Sequence, residues 1–319
     1  MNGLKVNVVL HIALLVLTGL VFWLTGTGLK LTNEFFIIYG LVFSFACFIA
    51  LMPRYRRDPW LTLSIQGVFF FSVGAGCAGV TSLAALRAQA PLQDALLARL
   101  DHDLGFSVPA FLYFCSSHQN LNRVLYVLYE NTGLAIILLL FTLSLSRDRI
   151  GLQRLVFVFS STSMICALCN MFTPAVGAVA YYHIPNSVMR AFPSGAGVYF
   201  LNTFHRFHSG AANSVALDDL NGVVTFPSFH AAMAVMVAWG LHRVPYVRVC
   251  AVLFALLIFP ASLLRGGHYV IDLVGGATVC LAAILLSGKL IGGSVPTSAG
   301  ETRASVTATP QELQERSSC

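Results

Sequence analysis

Apolar runs long enough to cross a membrane follow one another along this chain, and they restrict its fold more than any single residue does. Of 319 residues, 57% are hydrophobic and only 10% are charged, too few charges to clothe an ordinary water-facing surface. A stretch of about 18 or more apolar residues crosses a bilayer as a helix. Such runs cover Val6–Leu24, Phe35–Met52, Trp60–Leu86, Val124–Leu145, Leu155–Phe172, Phe226–Leu241, Val247–Leu264 and Tyr269–Leu290. The predicted fold class is therefore all-α, a polytopic membrane bundle of about eight transmembrane helices, because lipid offers no partner to an exposed backbone amide. The first run follows Lys5 with no small-x-small site after it, so it reads as a retained helix and not a cleavable signal.

The net charge of +6 raises the question of a polyanion partner, and the placement of the charges answers it. Arginines crowd three short connections: Arg54, Arg56 and Arg57; Arg147, Arg149 and Arg154; Arg243 and Arg248. The longer connections between them carry few for their length, among them Lys30, Arg87, Arg99 and Arg206. This alternation fits the positive-inside rule, with the dense loops and both termini cytoplasmic. Basicity here reports topology, and nucleic acid is not an expected partner. The cysteines make no secreted-type disulfide framework, since most lie inside apolar runs. Cys166 and Cys169 have the spacing of a redox or metal pair, but inside an apolar helix they read as small packing residues.

Three segments fall outside the spans. Between Arg87 and Asn122, Leu92, Leu96, Leu97, Leu100 and Leu104 recur at helical spacing opposite Gln93, Asp94, Arg99, Asp101 and Asp103. That is an amphipathic helix ending near Gly105, either flat on the outer interface or packed on the bundle. Thr173–Thr225, on the outer side, is rich in Gly, Pro and aromatic residues, which favours an ordered cap over a loose linker. The Ser-, Thr- and Glu-rich tail is expected to lack fixed structure. The domain division is two N-terminal helices over 1–59, one membrane domain over 60–290 and a tail over 291–319.

Two short motifs carry the chemistry: Pro227-Ser228-Phe229-His230, and His268-Tyr269-Val270-Ile271-Asp272. Their histidines are 38 residues apart, about two membrane crossings plus a tight turn, so both return to the same outer face. Asp272 follows His268 by four residues and shares its helical face. A carboxylate there takes the proton of one ring nitrogen and leaves the other free to attack. Pro227 and Ser228 suit a helix start, whose first-turn amides attract an anion, and His230 is placed to protonate a leaving alkoxide. Either motif alone is more often an interfacial histidine or an ordinary helix start; their common depth favours function.

These residues, with Gly275 and Gly276 following, resemble the type-2 phosphatidic acid phosphatase superfamily, and more narrowly its branch containing the inositol phosphorylceramide synthases. Weaker supporting elements are Leu100–Phe106, Pro174–Gly177 and the Leu220–Phe226 lead-in, so the likeness covers roughly Leu92 to Gly276. The resemblance implies a six-helix core and a covalent phosphohistidine, with His268 as nucleophile, Asp272 orienting it, His230 as general acid and Ser228 as phosphate ligand. It implies no metal and no cofactor. His205 and His208 lack an acidic partner set and read as interfacial.

The chain departs from the family's pattern around the phosphate. Where the pattern has an arginine six residues before the nucleophile, Ser262 stands. Arg265, one helical turn further on, is the candidate to take over the contact. The upstream lysine and arginine-proline element has no match either, and Arg123 and Arg190 are the candidates to replace its charge. Glu130, ionisable inside a span, is a functional-site candidate by position, with substrate contact and structural hydrogen bonding both open. The resulting expectation is a membrane phosphoesterase or phosphotransferase acting on a lipid phosphate or phospholipid head group, in a bacterial inner membrane with its site facing the periplasm, a eukaryotic endomembrane with a lumenal site being the alternative location. Lipid-head-group transfer is the alternative within that class, and a non-catalytic transporter or scaffold of the same fold the alternative outside it. Oligomeric state is not legible in the sequence.

Overall fold

A computed structural model describes residues 2–52, 58–220, 222–223, 226–242 and 244–292. The expected side markers Arg54, Arg56, Arg57 and Arg243, and the tail beyond Gly292, lie outside the described residues. Each of the apolar runs contains helix: α1 (Gly3–Thr25), α2 (Asn33–Leu51), α3 (Pro59–Leu86), the pair α6 (Gln119–Glu130) and α7 (Thr132–Leu145), α8 (Arg149–Cys169), α12 (Phe229–Gly240), α13 (Val247–Ala261) and α14 (Val270–Ile291). Between them lie α4 (Asp94–Asp103), α5 (Val108–Ser116), the one-turn helices α9 (Ala178–Tyr181) and α10 (Asn186–Met189), and α11 (Leu201–His208). The protein is an all-α membrane bundle, in which α1, α3, α8, α14 and α13 with its following turn are long and apolar enough to span.

Two runs differ from simple spans for local reasons. The Val124–Leu145 run breaks at Asn131 with a 50° bend between α6 and α7. Polar side chains turn back on the backbone there: Asn131 Nδ2 donates to Val127 O at 2.8 Å and Thr132 Oγ1 to Tyr129 O at 2.8 Å, a competition that weakens a continuous helix. The Phe226–Leu241 run is helical over 12 residues only, about 18 Å of the ~30 Å hydrocarbon thickness. Its helix starts late because Ser228 is extended and caps it, accepting the Ala231 amide.

Helix α8 is the axis of the bundle, packing against α3, α14, α1 and α12. Of its most apolar stretch 72% is buried, against 17% for α1, whose outward face of Val9, Leu15 and Val16 suits lipid. Leu152, Leu155, Val158 and Phe159 of α8 form the main core with Leu63 of α3, Leu139 of α7, Met236 of α12 and Ile284 of α14. Polar groups in lipid turn inward, and here they make a seam between α1, α3 and α8. Asn7 Nδ2 donates to Gln153 Oε1 at 2.6 Å, His11 Nδ1 lies 2.7 Å from Asn7 O, and His11 Nε2 lies 2.9 Å from Phe70 O.

The cap covers one end of this bundle. Phe200, Phe204, Phe207 and Val215 pack on Leu83 and Leu86 at the end of α3. A two-residue strand β1 (Gly28–Leu29) pairs in parallel with β2 (Ser214–Val215). The Arg87 guanidinium donates to Thr25 O, Gly210 O and Ala212 O, tying α1, α3 and the cap together.

Candidate active site

Helices α12 and α14 meet backbone to backbone at their N-terminal ends. A Cβ on Gly276 would lie 2.0 Å from the Ser228 carbonyl oxygen, so only glycine permits the approach. The Ser228 amide donates to Asp272 O at 2.9 Å across the crossing. This contact sets the Ser228–His230 turn against His268, which precedes α14 after a left-handed Gly267 (φ 68°) whose Cβ position is 2.5 Å from Gly197 O.

A linear chain of side chains results. His268 Nδ1 donates to Asp272 Oδ2 at 3.1 Å, and its Nε2 lies 3.2 Å from Ser228 Oγ. The carboxylate fixes the proton on Nδ1, so Nε2 carries the lone pair. Asp272 Oδ2 also accepts the Tyr269 amide at 2.9 Å, while Oδ1 has no partner among the described residues. Asp272 and Ser228 are fully buried and His268 is 3% exposed. Across from them the His230 ring stacks on Tyr129, centroids 4.0 Å apart at 17°. The Tyr129 hydroxyl lies 3.4 Å from that of Tyr199. Burial raises the Tyr199 phenol above its ordinary value, so it stays protonated. His230, His268, Tyr129 and Tyr199 all line one cavity of about 270 Å³.

The arginines are placed very differently from one another. Ser262 is buried with its hydroxyl committed to Ile258 O at 2.8 Å. A five-residue π-turn, Ser262–Gly266, then carries Arg265 to the edge of the cavity; such turns recur at functional sites. Arg265 Nε donates to Glu130 Oε1 at 2.6 Å, its Nη1 donates to Gly195 O at 3.0 Å, and its guanidinium lies 4.2 Å over the Tyr199 ring. Glu130, at the α6–α7 break, thus neutralises the cation nearest the histidines by these contacts. Arg123 and Arg190 are exposed and do not line the cavity. His208 donates from Nε2 to Ala90 O at 2.9 Å and stacks on Phe204.

Two carboxylates that the sequence placed on the polar face of α4 hold the site from behind. Asp101 is 1% exposed and accepts the Val270 and Ile271 amides at 2.9 Å each, the donors that open α14. Asp94, 3% exposed, accepts the Val176 and Gly177 amides and the Tyr269 hydroxyl, each at 3.0 Å. Helix α4 therefore packs on the bundle through a face of Asp94, Leu97, Ala98 and Asp101, with Leu96 on the helix and the flanking Leu92 and Leu104 exposed. The alternation of leucines and acids was the only signal available, and it does not say whether water or helix amides meet the acids.

The geometry stands beside a match to a known family. The family model described as the PAP2 superfamily matches residues 95–286, more than half of the chain, and the chain belongs to that superfamily. It is thereby an integral membrane protein of phosphatase or phosphotransferase type. No curated protein and no solved structure matches it.

Proposed function

We propose that the chain is a membrane phosphoesterase or phosphotransferase that cleaves a phosphate ester of a lipid through a phosphohistidine on His268. The observation that carries this reading is the Asp272–His268–Ser228 chain, whose unprotonated Nε2, 3.2 Å from the Ser228 hydroxyl, lines the same cavity as His230. In the first step the Nε2 lone pair attacks phosphorus, the bond from phosphorus to the leaving oxygen breaks, and His230 gives that oxygen its proton. Asp272 stabilises the cationic ring that forms. In the second step water or an acceptor hydroxyl gives its proton to His230 and attacks phosphorus, and the nitrogen–phosphorus bond breaks. Read from its other end, the same chain would make Ser228 the nucleophile. Ser228 instead caps α12 and does not line the cavity, which favours His268.

Charge favours one substrate form. Among the described residues lining the cavity there is no lysine or arginine, and Arg265 at its edge is already matched by Glu130. Charge on a transferring phosphoryl group has to be met by cations or helix ends. The first turn of α12 supplies a partial positive charge, which suits a singly charged phosphodiester better than a doubly charged monoester. Head-group transfer from a phospholipid to a lipid hydroxyl, as in the inositol phosphorylceramide synthase branch, fits this balance best. In this proposal Arg265 contacts the phosphate when its pair with Glu130 opens, and Arg123 and Arg190 take no part. The site faces the outer side of the membrane, the periplasm in a bacterial cell.

Purified protein in liposomes tests this with two labelled mixtures: phosphatidate alone, and phosphatidylinositol with ceramide. The expected result is label on the acceptor lipid faster than phosphate release from phosphatidate, with His230→Ala slowing turnover by roughly 10²-fold or more. Turnover of neither mixture would favour the transporter or scaffold reading, and turnover untouched by His230→Ala and His268→Ala would reject the catalytic assignment of these histidines.

A further inference from the structure

The cavity does not end at the histidines. It continues between α3 and α8, where Ala78, Gly79 and Ser82 line one wall and Ser163, Cys166 and Ala167 the other. Both serines face it with their protons committed to their own helices, Ser82 Oγ donating to Gly79 O at 2.7 Å and Ser163 Oγ to Ser160 O at 3.2 Å. What the walls offer is therefore methyl, methylene and thiol surface. The cavity is amphiphilic along its length, with two imidazoles and two phenols at one end and small apolar side chains at the other.

Resting on the lipid reading above, we infer that this chamber takes one hydrocarbon chain of the lipid substrate beside its phosphate, and that the small residues of α3 set how much of the chain fits. Volume decides between one chain and two. The whole cavity is about 270 Å³, less than twice the ~150 Å³ apolar cavity that holds a benzene ring. That is room for a short stretch of one chain next to the head group, while the second chain stays in the bilayer. Continuity with the histidines decides against an unrelated ligand, because whatever fills the chamber abuts His268. Helix α3 lies N-terminal to the matched segment 95–286, while the opposite wall on α8 lies within it. A Cβ at Gly79 would lie 3.3 Å from Leu220 Cδ2 of the cap, so a larger side chain there must project into the chamber or displace the cap.

Dihexanoyl phosphatidylinositol and dihexanoyl phosphatidate, each with a diazirine in one chain, test this by photolabelling the full-length protein in liposomes. Adducts are expected on residues 75–83 and 159–167, and Gly79→Leu should lower them at least tenfold. His268→Ala should keep them, which separates failure of the chamber from failure of the phosphohistidine chemistry. Ala167→Leu, on the opposite wall, gives the same loss and covers the case in which Gly79→Leu does not fold. In turnover, Gly79→Leu should raise KM for the dihexanoyl donor about tenfold while changing kcat/KM for its chain-free counterpart, glycerophosphoinositol, less than threefold. No labelling, adducts confined to α1, α2 or other lipid-facing helices, or adducts unchanged in both wall variants would overturn the inference.

Discussion

Arg265 reaches the edge of the cavity with its guanidinium already held, Nε to Glu130 Oε1 at 2.6 Å and Nη1 to Gly195 O. The arginine side chain is 12% exposed and the glutamate 40%, so water reaches the carboxylate more than the guanidinium. Glu130→Gln keeps an oxygen for the Arg265 Nε–H and removes the opposing charge. Turnover of phosphatidate by this variant is expected to show KM lowered roughly three- to tenfold with kcat changed far less, since a doubly charged monoester gains most from a freed cation. An unchanged or raised KM with intact folding would mean that Glu130 does not restrict substrate charge. At this scale the sequence disclosed the residues that meet at the candidate site and concealed their supports. His230 and His268 were legible because spacing fixes depth, and Asp272 because it follows four residues on, although His268 precedes α14 and meets the carboxylate from outside the helix. The inward turn of Asp94 and Asp101 was not, because an acidic face looks the same whether water or a helix N-terminus is its partner.

Elements were legible where the solvent alone dictates them. Long runs such as Val6–Leu24 and Tyr269–Leu290 became α1 and α14 because lipid tolerates little else. Hydropathy did not reveal the break at Asn131 or the late start of α12, since both depend on single side chains bonding to the backbone inside an apolar run. The small residues of α3 likewise read as an ordinary span until the neighbouring helix gave them a cavity to line. The crossing of α12 over α14 is the element-scale feature on which the site depends. Gly276→Ala would place a methyl within 2.0 Å of the Ser228 carbonyl, and overpacking of this kind costs about 1–3 kcal/mol. The expected outcome is a folded protein with a lowered thermal midpoint and activity reduced at least tenfold, because relief of the clash moves His230 away from His268. Wild-type activity in this variant would show that the close crossing does not set the histidine geometry.

For the molecule as a whole, cap, cavity and histidines lie at one end of the helical bundle, with the Arg147–Arg154 connection at the other. Cysteines introduced one at a time at Asn213 in the cap and Ser146 in that connection, with Cys250 and Cys319 changed to serine, report the orientation. A membrane-impermeant maleimide added to intact cells should label Asn213→Cys at once and Ser146→Cys only after permeabilisation; the reverse pattern would put the site on the cytoplasmic side. The central claim is covalent, and trapping the intermediate tests it most directly. Rapid quench of the protein with donor lipid labelled at phosphorus, followed by peptide mapping, is predicted to yield an acid-labile, base-stable phosphoryl adduct on His268 that is absent from His268→Ala. An acid-stable adduct on Ser228, or turnover without any adduct on the chain, would contradict it.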